Sequence, residues 1–248
     1  MNVVYILWLR QLKRYVRSKP RIIAALGQPV LYLVAFGFGF GNIFQRAGQG
    51  DYLQFLAPGV IAMTVLFTAV FSGIELIWDR QFGFLKETLV APVPRLMIMM
   101  GRTFGGATVA LIQGLIVVAI CLLAGFRVKT FGALPLAFLY MALTAVLFTS
   151  LGTAIASLLS DFQGFQLIMN FLVMPIFFLS GALYPLDNVP KAMAVVASLD
   201  PLAYGVDGLR GALIGISHFS VATNLSVLTI VTVAFLALGS YLFSRIQL

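Results

Sequence analysis

The sequence predicts an all-α membrane protein. It has six transmembrane helices, an N-terminal interfacial amphipathic helix, a short cytoplasmic helix after the second span, and an outer re-entrant helical hairpin between spans five and six. Three observations lead there. Of 248 residues, 61% are hydrophobic and only 10% charged, where soluble domains carry about a quarter. The apolar residues gather into runs of about 20, the length a helix needs to cross a ~30 Å hydrocarbon core. Finally, eleven of the 16 Lys and Arg fall on one set of loops and five on the other. The positive-inside rule then places both termini in the cytoplasm.

The same distribution explains the net charge of +8. The basicity marks topology, and nucleic acid is not a predicted partner. Cys121 is the only cysteine and His218 the only histidine, so neither an intrachain disulfide nor a metal cluster of usual composition is expected. No Gly-Lys-Ser/Thr phosphate loop occurs, and carboxylates are not paired deep in any span. With no catalytic residues of its own, the chain needs an outside source of work. One membrane domain over residues 1–248 is expected, since no interval between runs has room for a soluble one.

Residues 1–21 are not a signal peptide, because their basic residues follow an apolar start and no small-residue cleavage site appears. Val4, Trp8, Leu12 and Tyr15 share one helical face, and Arg10, Lys13 or Arg14, Arg17 and Arg21 another. That pattern predicts a helix lying in the inner interface with its aromatic face in lipid. Span one is expected at about residues 22–41, interrupted by Gln28-Pro29, with Gly37 and Gly41 spaced for close helix packing. The glycine-rich run after Ala35 follows no strand, so it is not a dinucleotide fingerprint.

A short outer loop with Arg46, Asp51, Tyr52 and Phe55 leads to span two, about residues 57–77. Glu75 lies one turn from its cytoplasmic end, and the expectation is a structural pair with Arg80 or Arg102 rather than a transport role. The interval at 79–101 gathers charge between two spans. Phe82, Leu85 and Leu89 fall on one helical face while Lys86 and Glu87 turn away. Pro92 ends that helix after Ala91, and Pro94 opens the next. Span three, about 103–126 with Gln113 midway, extends an expected continuous helix from Pro94 to Gly125. At ~48 Å it is longer than the bilayer core, so its inner end projects.

Span four covers about 133–159, Asp161 reads as a helix N-cap, and span five covers about 166–184 with Asn170 and Pro175. The outer stretch 185–220 signals two helices too short to span, opened by Pro190 and by Asp200-Pro201. Gly205, Gly208, Gly211 and Gly215 allow those pieces to pack closely, and Asp207 is expected to pair with Arg210. His218 reads as an interfacial residue. Span six is about 222–243.

Two stretches now carry a resemblance. One is Asp79 to Glu87, Ala91 to Arg95 and Gly101-Arg102. The other is Asn170-Phe171, Phe178 to Pro185, Pro190, Asp200 to Tyr204 and Asp207 to Arg210. With Leu56-Ala57-Pro58-Gly59, they resemble the ABC type-2 exporter permeases in order and spacing over essentially the whole chain. Drug-resistance and lipo-oligosaccharide export permeases belong to that family.

The resemblance implies a permease that pairs with a second copy in a prokaryotic plasma membrane. Two separate ATP-binding cassette subunits, holding ATP and Mg, dock below it. Asp79, Arg80, Gly83, Leu85, Glu87, Pro92, Pro94, Arg95 and Arg102 would form the ATPase-coupling loop. Pro185, Pro190, Asp200, Pro201, Tyr204, Asp207 and Arg210 would form an outer gate. The family usually has Asp-Arg-Glu where this chain has Asp79-Arg80-Gln81, which removes one charge from that contact. Spans one, two and five are assigned the substrate path, with Gln28, Phe67, Phe71, Asn170, Phe171, Met174 and Phe178. Few buried charges suit a hydrophobic drug, a lipid or a lipid-linked glycan. The rival readings, a nucleotide-independent secondary transporter or channel and a membrane-embedded transferase, lack a mid-membrane carboxylate or a catalytic cluster.

Overall fold

A computed structural model describes residues 3–39, 41, 51–90, 92–186 and 189–246, so Arg46 and Ala91 lie outside the described residues. Among these residues the regular elements are all helical, and six helices are long and apolar enough to cross a membrane. The chain begins with α1 (Val3–Arg17) and, after Ser18, α2 (Lys19–Tyr32), which a π-helical turn extends over Leu33–Phe38. Then α3 (Tyr52–Phe71) and α4 (Ile74–Gln81) make one long span loosened at Ser72-Gly73. Beyond it lies α5 (Phe84–Val90), followed by the span α6 (Arg95–Leu123). The spans α7 (Leu134–Leu158) and α8 (Phe162–Leu179) come next. The short helices α9 (Lys191–Leu199) and α10 (Pro201–Ile214) precede the last span, α11 (Val221–Ser244).

Side-chain caps start four of these helices where the sequence offers an oxygen to the exposed first-turn N–H groups. Asp51 accepts from Leu53 N at 3.0 Å, Asp161 from Gly164 N at 2.7 Å, Asp200 from Leu202 N at 2.9 Å and Ser220 from Thr223 N at 3.1 Å. Pro94 sits just ahead of α6 rather than inside its first turn. The 29 residues of α6 measure about 44 Å, longer than a ~30 Å hydrocarbon layer.

Helix α3 is the centre of the core. Leu56, Val60, Ile61 and Leu66 are inaccessible to solvent, and α6 and α7 pack against it, with α10 and α11 against α7. Helices α2 and α8 flank α3 and leave most of their surface uncovered.

Several expectations change. The aromatic face of α1 meets protein instead of lipid. Trp8 Nε1 donates to Thr108 Oγ1 at 3.0 Å and the Tyr15 hydroxyl to Gln113 Oε1, while Leu7, Gln11 and Tyr15 are buried. An amphipathic pattern reports that a face is covered, not what covers it. Among the described residues nothing lies within 4 Å of a Cβ placed on Gly41, so they make no close helix packing there. Of the hairpin glycines, Gly205 and Gly208 do allow close packing, but against α7, whereas Gly211 meets Ser217 and Gly215 is the left-handed cap of α10. A Cβ on Gly208 would lie 2.3 Å from the Tyr140 ring, which only a hydrogen can avoid. Helix α10 is therefore buried along nearly its whole length.

Candidate functional site

The end of the second span carries an ion cluster. Asp79 receives both guanidinium nitrogens of Arg10 at 3.0 and 2.9 Å and Arg102 Nη2 at 2.6 Å, with Arg14 at 3.4 Å. Glu75, one turn earlier, pairs with Arg21 at 3.0 Å and with Arg14 at 3.4 Å. The expected partners of Glu75, Arg80 and Arg102, are thus replaced by two arginines from the N-terminal segment. Arg102 turns to Asp79, and Arg80 donates to the Leu159 carbonyl at 2.9 Å. The Asp79–Arg102 pair is buried on both sides, 4% of each side chain being exposed. Two-pronged, charge-assisted contacts of this kind fix geometry as well as energy.

Arg10, Arg14 and Arg21 were not predicted site residues, although the sequence held a signal. Arg10 and Arg14 are four apart, as are Glu75 and Asp79. Two helices with equal charge spacing can zip together, each offering both charges on one face. Burial pushes the Tyr15 hydroxyl above its ordinary value, with Arg21 pulling the other way. It therefore stays protonated and donates to Gln113, which holds α1 in register.

Beyond the cluster stands α5. Gly83 has φ +80°, a left-handed turn that ends α4 and redirects the chain. That break corrects the expected shared face. Phe82 lies before the turn and is 83% exposed, whereas Leu85 is fully buried and Leu89 half-buried. The Arg10 guanidinium lies 3.5 Å over the Phe84 ring, so one arginine grips both the root of the helix and its first turn. Arg95 donates to the carbonyls of Ser244 and Ile246, tying α6 to the C-terminal end. Of the residues predicted for coupling, Asp79, Arg80, Leu85, Arg95 and Arg102 are held by the protein itself. Glu87, Pro92 and Pro94 face outward beside Gly83, together with Phe82 and Val90, the latter 79% exposed.

The predicted path residues divide into two groups. Gln28, Phe67 and Phe71 line a cavity of about 250 Å³ between α2 and α3, with Arg21, Thr64 and Thr68. Asn170, Phe171, Met174 and Phe178 instead occupy the outward face of α8, with Phe171 84% exposed. The opposite face of α8 seals against the core through Phe165, Met169, Val173 and Phe177. Phe177 meets both Tyr32 and Phe67 edge-on, at 5.8 and 6.3 Å between ring centres. The two groups are thus separated by one aromatic layer.

At the far end, α9 and α10 meet at 91°, too sharp a bend for one straight crossing. Pro190 precedes α9, Pro201 begins α10, and the Tyr204 hydroxyl closes the corner on the Ser198 carbonyl at 2.8 Å. Asp207 and Arg210 do not pair as expected. Asp207 accepts from the His218 and Phe219 amides at 2.6 and 3.0 Å and from Asn224 Nδ2 at 2.9 Å. Arg210 donates to the Gly181 carbonyl at 3.0 Å and stacks on Phe55. Both line a 50 Å³ cleft with Pro185. Burial pushes the Asp200 carboxyl up to about 7, its Oδ2 being buried with no hydrogen-bond partner among the described residues. Among the described residues, no three His, Cys, Asp or Glu converge on a metal position.

Six long apolar helices with a short helix held outside them define a multi-pass membrane protein, and the comparisons with known proteins agree. Residues 2–214 match the ABC-2 type transporter family, and the chain belongs to that family. It is 30% identical to the inner membrane transport permease YadH of Escherichia coli (strain K12), over 92% of this chain and 90% of that one. It is 29% identical to the putative transport permease ycf38 of Cyanophora paradoxa, over 91% and 82% of the two chains. Nodulation protein J of Rhizobium leguminosarum bv. viciae is also 29% identical, over 91% and 88%. The chain is a transport permease subunit.

Proposed function

We propose that this permease is half of the membrane domain of an ATP-driven exporter. Two copies pair, separate ATP-binding cassette subunits bind ATP and Mg, and both termini lie in the cytoplasm. The chain itself hydrolyses nothing. Helix α5 is the coupling helix, and the observation that carries the reading is its construction. The inner side of α5 is clamped through Leu85 and Phe84, while Phe82, Glu87 and Val90 point away from the protein. Large exposed apolar groups beside a carboxylate suit a partner cleft. Closure of the cassettes pushes α5, the Asp79 cluster carries the push into α3–α4 and α6, and the two copies open alternately to either side. The cargo is an amphiphile, since the candidate path is mostly aromatic and aliphatic, and the α9–α10 corner closes the outer end.

The test is the double variant Phe82→Ala, Glu87→Ala, co-expressed with the tagged cassette subunit and reconstituted in nanodiscs. Membrane insertion and melting temperature should stay at wild-type values, because both side chains are exposed. Co-purification of the cassette subunit and cargo-stimulated ATP turnover should fall about tenfold, the usual loss when anchors of an interface are truncated. Full turnover and export in the double variant would refute the coupling role.

A further inference from the structure

We infer that the cavity between α2 and α3 binds the anionic head of an amphiphile, a phosphate or carboxylate carried on an apolar chain, and that Arg21 is its receptor. The inference names the cargo class at the candidate path and so rests on the export reading. Four guanidiniums, those of Arg10, Arg14, Arg21 and Arg102, share two carboxylates, Glu75 and Asp79. Among the described residues in that cluster, two positive charges are left without an opposite. Lys13 and Arg17 line the groove alongside with Arg10 and Arg14, which adds to the surplus. Such a field concentrates anions at the mouth of the cavity.

Arg21 is the member of the cluster that lines the cavity itself. Its side chain is 40% exposed and its one carboxylate, Glu75, already has a second guanidinium 3.4 Å away in Arg14. An incoming anion that takes Arg21 leaves Glu75 beside Arg14, which needs to close only the last few tenths of an ångström to hydrogen-bond Oε2. Gln28 lies two turns farther along α2, and Thr64 and Thr68 of α3 line the same cavity, so polar groups follow the head inward. Phe67 and Phe71, stacked at 6.3 Å between ring centres, give the chain an apolar wall. The volume of about 250 Å³ is below the usual range for enclosing a whole ligand. It holds a head and the first carbons, with the remaining chain leaving along the uncovered faces of α2 and α8.

The exchange also explains how cargo reaches the lever. Arg14 touches both Glu75 and Asp79. Loss of Arg21 from Glu75 draws Arg14 toward Glu75 and away from Asp79, which loosens the root of α5.

The test measures binding to the permease alone, solubilised in dodecyl maltoside, by native mass spectrometry. Dodecyl phosphate, inorganic phosphate and dodecyltrimethylammonium are titrated separately, and the detergent itself competes as a neutral-headed tail. Dodecyl phosphate should bind once per chain. Arg21→Gln should weaken it about tenfold, as loss of a charge-assisted hydrogen bond does. Arg21→Lys should recover most of the affinity, which separates lost charge from misfolding. Glu75→Gln should tighten binding, because the competitor for Arg21 is gone. Inorganic phosphate should bind at least about a hundredfold more weakly, having no chain to bury. The inference is overturned if the trimethylammonium probe binds as well as the phosphate, if inorganic phosphate matches dodecyl phosphate, or if Arg21→Gln and Glu75→Gln bind like wild type. No ATPase takes part, so probe binding with these responses stands even if no cassette subunit ever associates. Conversely, ATP-driven export with an indifferent Arg21 removes this inference alone.

Discussion

Replacing Asp79 should damage the protein far more than replacing Arg10, although the two form one salt bridge. Asp79 and Arg102 are each 4% exposed, and the Asp79 oxygens serve three arginines. Asp79→Ala strands the Arg102 guanidinium in the interior, a change that costs about 3–5 kcal/mol. Arg10 is 29% exposed, and its removal leaves Asp79 still bound to Arg102 and Arg14. Arg10→Gln should therefore cost about 1 kcal/mol, within the range of single charge-supported hydrogen bonds at partly exposed sites. For a chain of this size each kcal/mol moves the melting temperature by about 2–4 °C. Thermal unfolding in detergent should show Asp79→Ala lowered by roughly 6–20 °C and Arg10→Gln by roughly 2–4 °C. The paired variant Asp79→Leu, Arg102→Met should melt well above Asp79→Ala, because an apolar pair replaces a stranded charge. Equal losses for Asp79→Ala and Arg10→Gln would refute the burial argument. So would a paired variant no better than Asp79→Ala. Transport should rank differently from stability, since Arg10 alone also grips Phe84.

Two further outcomes follow from particular conformations. Gly83→Ala meets no neighbour but holds a left-handed φ of +80°, so it should cost about 1–2 kcal/mol. Gly83→Asn should cost less, and ATP-driven transport should fall in the same order; Ala performing as well as Asn would contradict the turn. Asp200 is the second case, its carboxyl raised to about 7 by burial. Folding binds its proton between the unfolded value near 3.9 and 7, so the stability it contributes is full at acid pH and lost as pH rises through 7. Melting temperature should drop between pH 5.5 and 8.5. Asp200→Asn, which still caps α10, should remove that drop; an unchanged profile would sink the assignment.

How much of this was readable beforehand depended on the range of the interaction. Runs of apolar residues and N-caps such as Asp161 and Asp200 are local, and the structure has six long apolar helices with side-chain caps at both of those aspartates. The partners of Glu75 are 54 and 61 positions away in sequence, so the matched spacing of Arg10/Arg14 and Glu75/Asp79 becomes a signal only once the two helices are compared, and no such spacing points to Arg21. Phe82 lies off the face that its spacing predicts, because side-chain spacing says nothing of the φ at Gly83. Asp207 and Arg210 looked like a helical ion pair, yet buried groups go where backbone donors and acceptors need them. Asp207 accepts from two amides in the turn after α10, and Arg210 donates to a carbonyl just past the end of α8.

The placement of α1 ties these strands together. A basic helix lying on a lipid surface would respond to the membrane and to nothing else. Here its apolar face is spent on α6 through Trp8 and Tyr15, so its arginines are aimed at a fixed place. Arg10 reaches Asp79 and Phe84, Arg14 reaches Asp79 and Glu75, and Arg21 in the following helix reaches Glu75 at the cavity. Each arginine is one step farther from α5 and one step nearer the cavity. In the proposed mechanism, a push at α5 and an anion at Arg21 therefore draw on the same two carboxylates. Electrostatic competition for Glu75 and Asp79 is then the means by which the loaded and empty permease present differently held levers to the motor.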